Sequence, residues 1–363
     1  LPLAAEQAGA YLRKNSTLSF AAYEARLIQM LDQAPRALPG AYDKSLYATF
    51  RTALEAVSER PNGAAALAIL NICAFLSPDG VELDMLKACA SQTEVLPEPP
   101  KQALADEVRC AEAVKALSAY SLVRIGDAPG WGQTLVLHRL LGDIARDLLS
   151  DEQHIKWSEA AVLMIHGLMP TNAVNTPAHW PLHSRLAPHV RALLPLDPEA
   201  GNVGKALGFL INESGLYLSV RGDLNGAIIL LRRRVEIREI IYKDDPTEIA
   251  IALSNLAGHL GEHEATRDEA EAAYARALEI EEAVLAPDDP SLAVTLSNIG
   301  VLHSRRSDYA KEADFVSRSA NIVKAAYGIK STQYATILNN LGAIYSDWAQ
   351  AIGDVDLLRK ERD

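Results

Sequence analysis

One five-residue phrase, Leu253-Ser254-Asn255-Leu256-Ala257, returns as Leu296-Ser297-Asn298-Ile299-Gly300 and again as Leu338-Asn339-Asn340-Leu341-Gly342. The small residues that close it, Ala257, Gly300 and Gly342, lie 43 and 42 positions apart, and Gly215 stands 42 before the first. A fixed period of this size marks a helical repeat array. A single pair of helices cannot hide its apolar face, so neighbouring pairs must stack. The rest of the unit recurs in step. Asp245-Pro246 and Asp289-Pro290 open their units, and Ile237, Ile280 and Ile322 follow at 43 and 42. The array is expected to start near Asn202, with first helices ending near Tyr217, His259, His303 and Tyr345, which aligns His259 with His303. Its last unit is incomplete: Leu357-Leu358-Arg359-Lys360 begins a second helix, and the array is expected to run on past Asp363.

Counting from the small residue of each first helix, the positions three before, one after and four after share a stripe. Three before stand Asn212, Ser254, Ser297 and Asn339; four after stand Ser219, Gly261, Ser304 and Ser346, with Arg305 adjacent. Small polar residues pack poorly as core but suit hydrogen bonds to an extended peptide or a helix. Asn212, Ser219, Ser254, Ser297, Ser304, Arg305, Asn339 and Ser346 are therefore the candidate partner-binding residues, with plain solvated surface as the alternative. Asn255, Asn298 and Asn340 read as structural, each tying its helix to neighbouring backbone.

At 363 residues the chain has room for two or three domains. Its net charge of −12 is spread over both halves, with five excess acids over residues 1–200 and seven over 201–363. A duplex-binding surface needs a basic face to neutralise phosphates, and neither half offers one. Arg232-Arg233-Arg234 reads as a solvated helix face. Cys73, Cys89 and Cys110 form no CxxC pair and leave an odd count, which argues against a disulfide framework. With no membrane-length apolar run and no signal-peptide pattern, a cytoplasmic location and no membrane partner are expected.

Helices are expected from Leu3 to Lys14, from an N-cap at Ser19, from a cap at Asp43, and from Asn62 through a nearly all-apolar run to Leu76. A short helix from Leu83 to Ala90 precedes a loop at Pro97–Pro100. A longer helix, from about Gln102 to Tyr120, is broken near Arg109. Two period-two runs, Ser121–Ile125 and Gln133–Leu137, flank the turn-rich Gly126–Gly132. Helices, one hairpin and a closing helix from Arg139 to Leu149 describe a winged helix. Residues 151–169 and 182–194 read as connecting helices. The chain as a whole is mainly α. Residues 1–60 form a helical segment, 61–150 a winged-helix domain, 151–200 linker helices, and 201–363 an α-solenoid.

Leu296-Ser297-Asn298-Ile299-Gly300 followed by Asp308-Tyr309-Ala310-Lys311-Glu312-Ala313 resembles the longer, kinesin-light-chain type of tetratricopeptide repeat, which implies protein or peptide partners. Leu1-Pro2-Leu3-Ala4 resembles the end of the G-L-P-L-A motif of NB-ARC proteins, the nucleotide-switch ATPases of the STAND class. Cys73–Asp79 is similar to the entry of that family's winged helix, and Leu137-His138-Arg139-Leu140 to its M-H-D motif. Trp180 through Leu194 is similar to its linker to tetratricopeptide repeats. The resemblance implies that Pro2 packs near the adenine and that His138 touches the β-phosphate of ADP. Leu137 and Arg139 depart from the motif. By its residues alone, His138 reads as a histidine capping the end of a strand; only the resemblance sets the phosphate role beside it.

Other chemistry is thin. His259-Leu260-Gly261-Glu262-His263 fits the H-x-x-E-H spelling without a third ligand, and His179, His183 and His189 read as packing. No catalytic residue, metal site or enzymatic activity is expected of this stretch. The leading expectation is the sensor half of a signalling switch whose ADP or ATP, effector and any oligomerisation belong to a longer protein. The alternatives are a freestanding scaffold or adaptor and, with little support from charge, a winged-helix DNA-binding regulator. No G-x-x-x-x-G-K-[ST] occurs; Gly201–Ala206 lacks both the spacing and the hydroxyl. The chain should therefore give no saturable binding of a fluorescent ATP analogue at micromolar concentration, as followed by anisotropy.

Overall fold

Asp289 Oδ1 accepts the Ser291 N–H at 2.8 Å, and Pro290 follows with its φ already set for a helix. Such starts recur throughout the molecule. The computed structural model describes residues 2–32, 44–92, 96, 98, 100–128, 132–197, 202–243 and 245–353. It separates into two units, Leu1–Asp197 and Pro198–Asp363. Asp43, Pro97, Pro99, Pro129–Trp131 and Leu357–Lys360, named above, lie outside the described residues.

The first unit opens with α1 (Pro2–Lys14), α2 (Phe20–Asp32, held at its start by Ser19 Oγ), α3 (Lys44–Ser58) and α4 (Gly63–Ala74). As its composition predicts, α4 is central: Ile69, Leu70 and Ile72 are wholly buried. The chain then forms β1 (Val81–Glu82), α5 (Leu83–Gln92), α6 (Pro100–Ala105) and α7 (Glu107–Ala119). The helix break falls at Asp106, three residues before the expected place, because the Asp106 carboxylate caps α7 by accepting the Arg109 N–H at 2.9 Å.

Strands β2 (Arg124–Ala128) and β3 (Gly132–Val136) pair antiparallel, Ile125 opposite Leu135. The first strand thus starts three residues later than the alternation predicts. Ser121 turns the chain at φ 54°, and Leu122 and Val123 enter the core before pairing begins. A third strand was not visible in the pattern: β1 pairs with β3, Val81 opposite Leu135, giving the order β1-β3-β2.

Helices α8 (Arg139–Asp147), α9 (Asp151–Leu168) and α10 (Trp180–Leu193) complete the unit. The two helices expected to connect the halves belong to this unit. In α10, Arg185 Nε donates to Glu82 Oε1 at 2.6 Å, and His189 Nδ1 accepts the buried Ser77 N–H at 3.2 Å. The second contact requires an unprotonated Nδ1, and burial depresses the His189 pKa to about 4.

Among its described residues, the second unit forms helices and no strand. First helices α11 (Asn202–Val220), α13 (Pro246–Leu260), α15 (Pro290–Ser304) and α17 (Thr332–Ile352) alternate with second helices α12 (Leu224–Ile241), α14 (Arg267–Val284) and α16 (Tyr309–Tyr327). First helices α11, α13 and α15 each pack most closely on the second helix after them, and α17 packs on α16. At those crossings sits the recurring small residue. A Cβ on Gly215 would lie 3.4 Å from Leu231, and one on Gly300 would lie 2.7 Å from Val316 Cγ2. Leu253, Leu256 and Leu260 of one unit and Leu292, Leu296, Ile299 and Leu302 of the next share one core.

Two outcomes follow. Gly300→Ala should destabilise the repeats by about 1–3 kcal/mol, because a β-branched Val316 in a helix has few rotamers with which to yield. Gly208→Ala, whose Cβ meets nothing nearer than 3.9 Å, should be neutral or stabilising by up to about 1 kcal/mol. Thermal melts of the two variants check the opposite signs. His189 has a lowered folded pKa, so its contribution is full above the unfolded value near 6.5 and is lost as pH falls toward 4. Wild type should lose about 2 kcal/mol between pH 7 and 5 through this group. His189→Gln should show a correspondingly shallower pH dependence in urea melts.

Candidate functional site

The face of the first helices left uncovered is one row away from the stripe that spacing suggests. On α13 and α15 the position three before the small residue turns inward, toward the second helices. Ser297 Oγ shares a hydrogen bond with Ser319 Oγ at 2.9 Å, and Ser319 also donates to the Ala293 carbonyl at 2.8 Å. The Ser254 hydroxyl is likewise buried, and Asn212 Nδ2 donates to its neighbour Glu213 at 3.3 Å. Ser219 is half-buried at the end of α11. Farther along the stripe, Ser304 is exposed, near the Glu312 carboxyl, whose pKa burial raises. Arg305 pairs with Glu262 of the preceding unit at 2.6 Å. Asn339 and Ser346 are open on α17.

The open row instead carries the recurring asparagine, two residues before the small position. Asn298 and Asn340 are exposed and Asn255 is half-buried, so the reading of these amides as ties to backbone is corrected for the two exposed members. Aliphatic side chains flank them: Ile251 is 42% exposed, Val294 62% and Val301 52%. On α15 the row Ser291, Val294, Asn298, Val301 holds no charge. Aliphatic groups exposed at regular spacing between amides offer a partner both apolar area and paired donors and acceptors. The clue was present in sequence, since the asparagine recurs while its neighbours drift. The face it occupies depends on how each helix rolls against its pair.

Charge is concentrated elsewhere. Arg232 grips Glu269 through Nε at 2.9 Å and through its terminal nitrogen at 2.7 Å, and Arg276 meets Glu239 at 2.7 Å, both between α12 and α14. Arg318 of α16 meets Glu282 of α14 at 2.8 Å. The arginine run is therefore only partly a solvated face. Arg234 is buried near Arg238, Glu248 and Glu213, and burial lowers its pKa to about 10. Between α14 and α15, Thr295 Oγ1 donates to a buried Glu281 at 3.0 Å, and burial raises that carboxyl's pKa.

At the other end of the chain, Pro2 stands exposed at the start of α1, which packs on α3 and α7. His138 is exposed at the N-cap of α8, which packs on α4, and its Nδ1 accepts the Leu140 N–H at 3.2 Å. It caps a helix start rather than a strand end. His259 Nδ1 lies 2.8 Å from the Asn255 carbonyl. In the true register His259 matches Leu302, and His303 matches Leu260. No group of His, Cys, Asp and Glu suited to a metal occurs among the described residues. Cys73 and Cys110 are buried free thiols, that of Cys73 raised to about 12 by burial. No described helix is long and apolar enough to cross a membrane.

Comparison with known proteins agrees with the architecture. The tetratricopeptide-repeat family matches residues 248–323, and a domain of unknown function (DUF7779) matches residues 59–154. No curated protein matches. Among solved structures, BtubC from P. vanneervenii is similar at 16% identity and TM-score 0.39, over 78% of this chain and 89% of that one. A Podosopora anserina kinesin-light-chain protein of nearly identical TPR-like repeats is similar at 13% identity and TM-score 0.42, over 56% and 94%. A signal transduction ATPase with numerous domains and a tetratricopeptide repeat sensor, from Pyrococcus horikoshii, is similar at 15% identity and TM-score 0.28, over 99% and 59%. Residues 248–323 match the tetratricopeptide-repeat family within a helical repeat fold, and repeats of this kind imply protein–protein interaction.

Proposed function

We propose that this chain is the sensing and relaying half of a STAND-type nucleotide switch. The row carrying Ile251, Val294, Asn298 and Val301, uncharged along α15, takes an extended protein or peptide trigger, and that row is the observation that carries the reading. The helices and small sheet of the first unit, read as a winged helix, pass the event to a nucleotide-binding domain outside this chain. A freestanding scaffold would use the same row without the relay.

The relay reading is supported by the state of His138. With Nδ1 accepting from Leu140, a neutral ring keeps its proton on Nε2, so a donor faces outward at a helix start. That arrangement suits a phosphate oxygen of ADP, with Pro2 available to the adenine. The nucleotide supplies the charge that the switch reads; the groups that grip its phosphates are not in this chain. One charge-assisted hydrogen bond contributes about 1.5–3 kcal/mol. Reversing a 1:99 equilibrium takes about 5.5 kcal/mol, so His138 biases the closed state rather than holding it.

Affinity capture with the whole chain, read by mass spectrometry, tests the row. Asn298→Ala and Val294→Asp should each reduce recovery of a specific protein about tenfold or more. Ser297→Ala, whose hydroxyl is committed to Ser319, should leave recovery unchanged. Equal loss in all three would overturn the row. In a protein that also carries the nucleotide domain, His138→Ala should speed ADP release about tenfold without changing capture; unchanged release leaves the scaffold.

A further inference from the structure

In α4 every residue is Gly, Ala, Leu, Ile or Cys, with the single exception of Asn71. Its amide is half-buried and, among the described residues, makes no hydrogen bond. A partly buried amide without a partner costs stability that a leucine at the same place would not. Asn71 opens into a cleft of about 280 Å³ between α3, α4 and the end of α8.

Leu54 of α3, Leu67 of α4, and Leu148 and Leu149 where α8 ends are each half-buried and line this cleft with apolar surface. Arg51 of α3 lines it too. Its guanidinium lies 3.9 Å from Glu55 Oε1, beyond hydrogen-bond reach, and bonds nothing among the described residues. The Tyr47 ring lies against it, 6.0 Å away at the centroid. The other polar groups of the lining are committed. Glu55 Oε2 accepts from Arg26 at 3.2 Å, and the Ser58 hydroxyl donates to the Glu55 carbonyl at 2.7 Å. Arg26 therefore answers the one carboxylate in the lining, and Arg51 is left as a surplus positive charge with open donors.

Arg51 lies one turn before Leu54 on α3, and Asn71 lies one turn after Leu67 on α4. Both polar groups thus stand on the side of these leucines away from the turn that joins the two helices. An open guanidinium and an open amide beside four leucines match a ligand with an acceptor head and an uncharged body. Clefts that take drug-sized molecules measure roughly 300–1,000 Å³, so the occupant here is smaller. We propose that this cleft binds a small amphipathic carboxylate, an acyl or aromatic acid of about six to ten carbons. Arg51 and Asn71 hold its carboxylate, and Leu54, Leu67, Leu148 and Leu149 cover its apolar body. His138 stands at the opposite end of α8, so this site is separate from the phosphate position proposed above.

The whole chain is titrated by isothermal calorimetry with octanoate and, separately, with octanamide, which has the same body and no charge. Octanoate should bind one to one and at least about tenfold more tightly. Arg51→Met should bring octanoate down to the affinity of octanamide. Asn71→Leu should weaken octanoate several-fold while thermal melting is unchanged or raised. Arg109→Met, which removes the same charge outside the cleft, and Asn298→Ala, in the second unit, should have no effect. Equal affinity for the two probes, equal loss with Arg51→Met and Arg109→Met, or no saturable binding of octanoate overturns the proposal.

Discussion

The repeats depend on how closely a first helix can lie against the second helix after it. At Gly300 the Val316 side chain fills the space a Cβ would take, and at Gly215 Leu230 and Leu231 close over the bare backbone. Close crossing lets the leucines on either side interdigitate at the density of a crystal rather than of a liquid. It also fixes the roll of each first helix. Once Gly300 faces α16, Ser297 must meet Ser319, and Asn298 must face away.

That roll separates two kinds of surface. The outward row of α15 is uncharged, whereas the second helices are laced by Arg232–Glu269, Arg276–Glu239 and Arg318–Glu282. Exposed pairs of this sort contribute little stability individually, about 0–1 kcal/mol. They set registration instead: Arg232 and Glu239 of α12 face Glu269 and Arg276 of α14, so sliding one helix along the other brings like charges together. The first unit uses a different device: Arg185 with Glu82, and His189 with Ser77, bind a late helix to elements about a hundred residues earlier.

Much of the fold was legible because its signals are local. Helix starts at Ser19 and Asp289, the buried run of α4, the hairpin and the repeat period all follow from residues near one another in the chain. The candidate site was less legible. A stripe drawn by helical spacing is right to within one residue, but one residue turns a helix face by about 100°. That offset put Ser297 in the row and took Asn298 out of it. Likewise, a two-residue strand such as Val81–Glu82 carries too little alternation to be read before its partner is known.

By itself the sequence determined the class of the molecule: a helical array after residue 200, helices with a hairpin before it, and small residues at the helix crossings. These are set by periodicity, by caps and by the absence of side chains, all written along the chain. Only the tertiary structure decided which face stays open, that Arg234 and Glu281 are buried, and that His303 stands in a leucine's place beside Glu271. The reason is physical. Burial and partner identity belong to pairs of surfaces, and a surface acquires its partner only when residues distant in sequence are brought together.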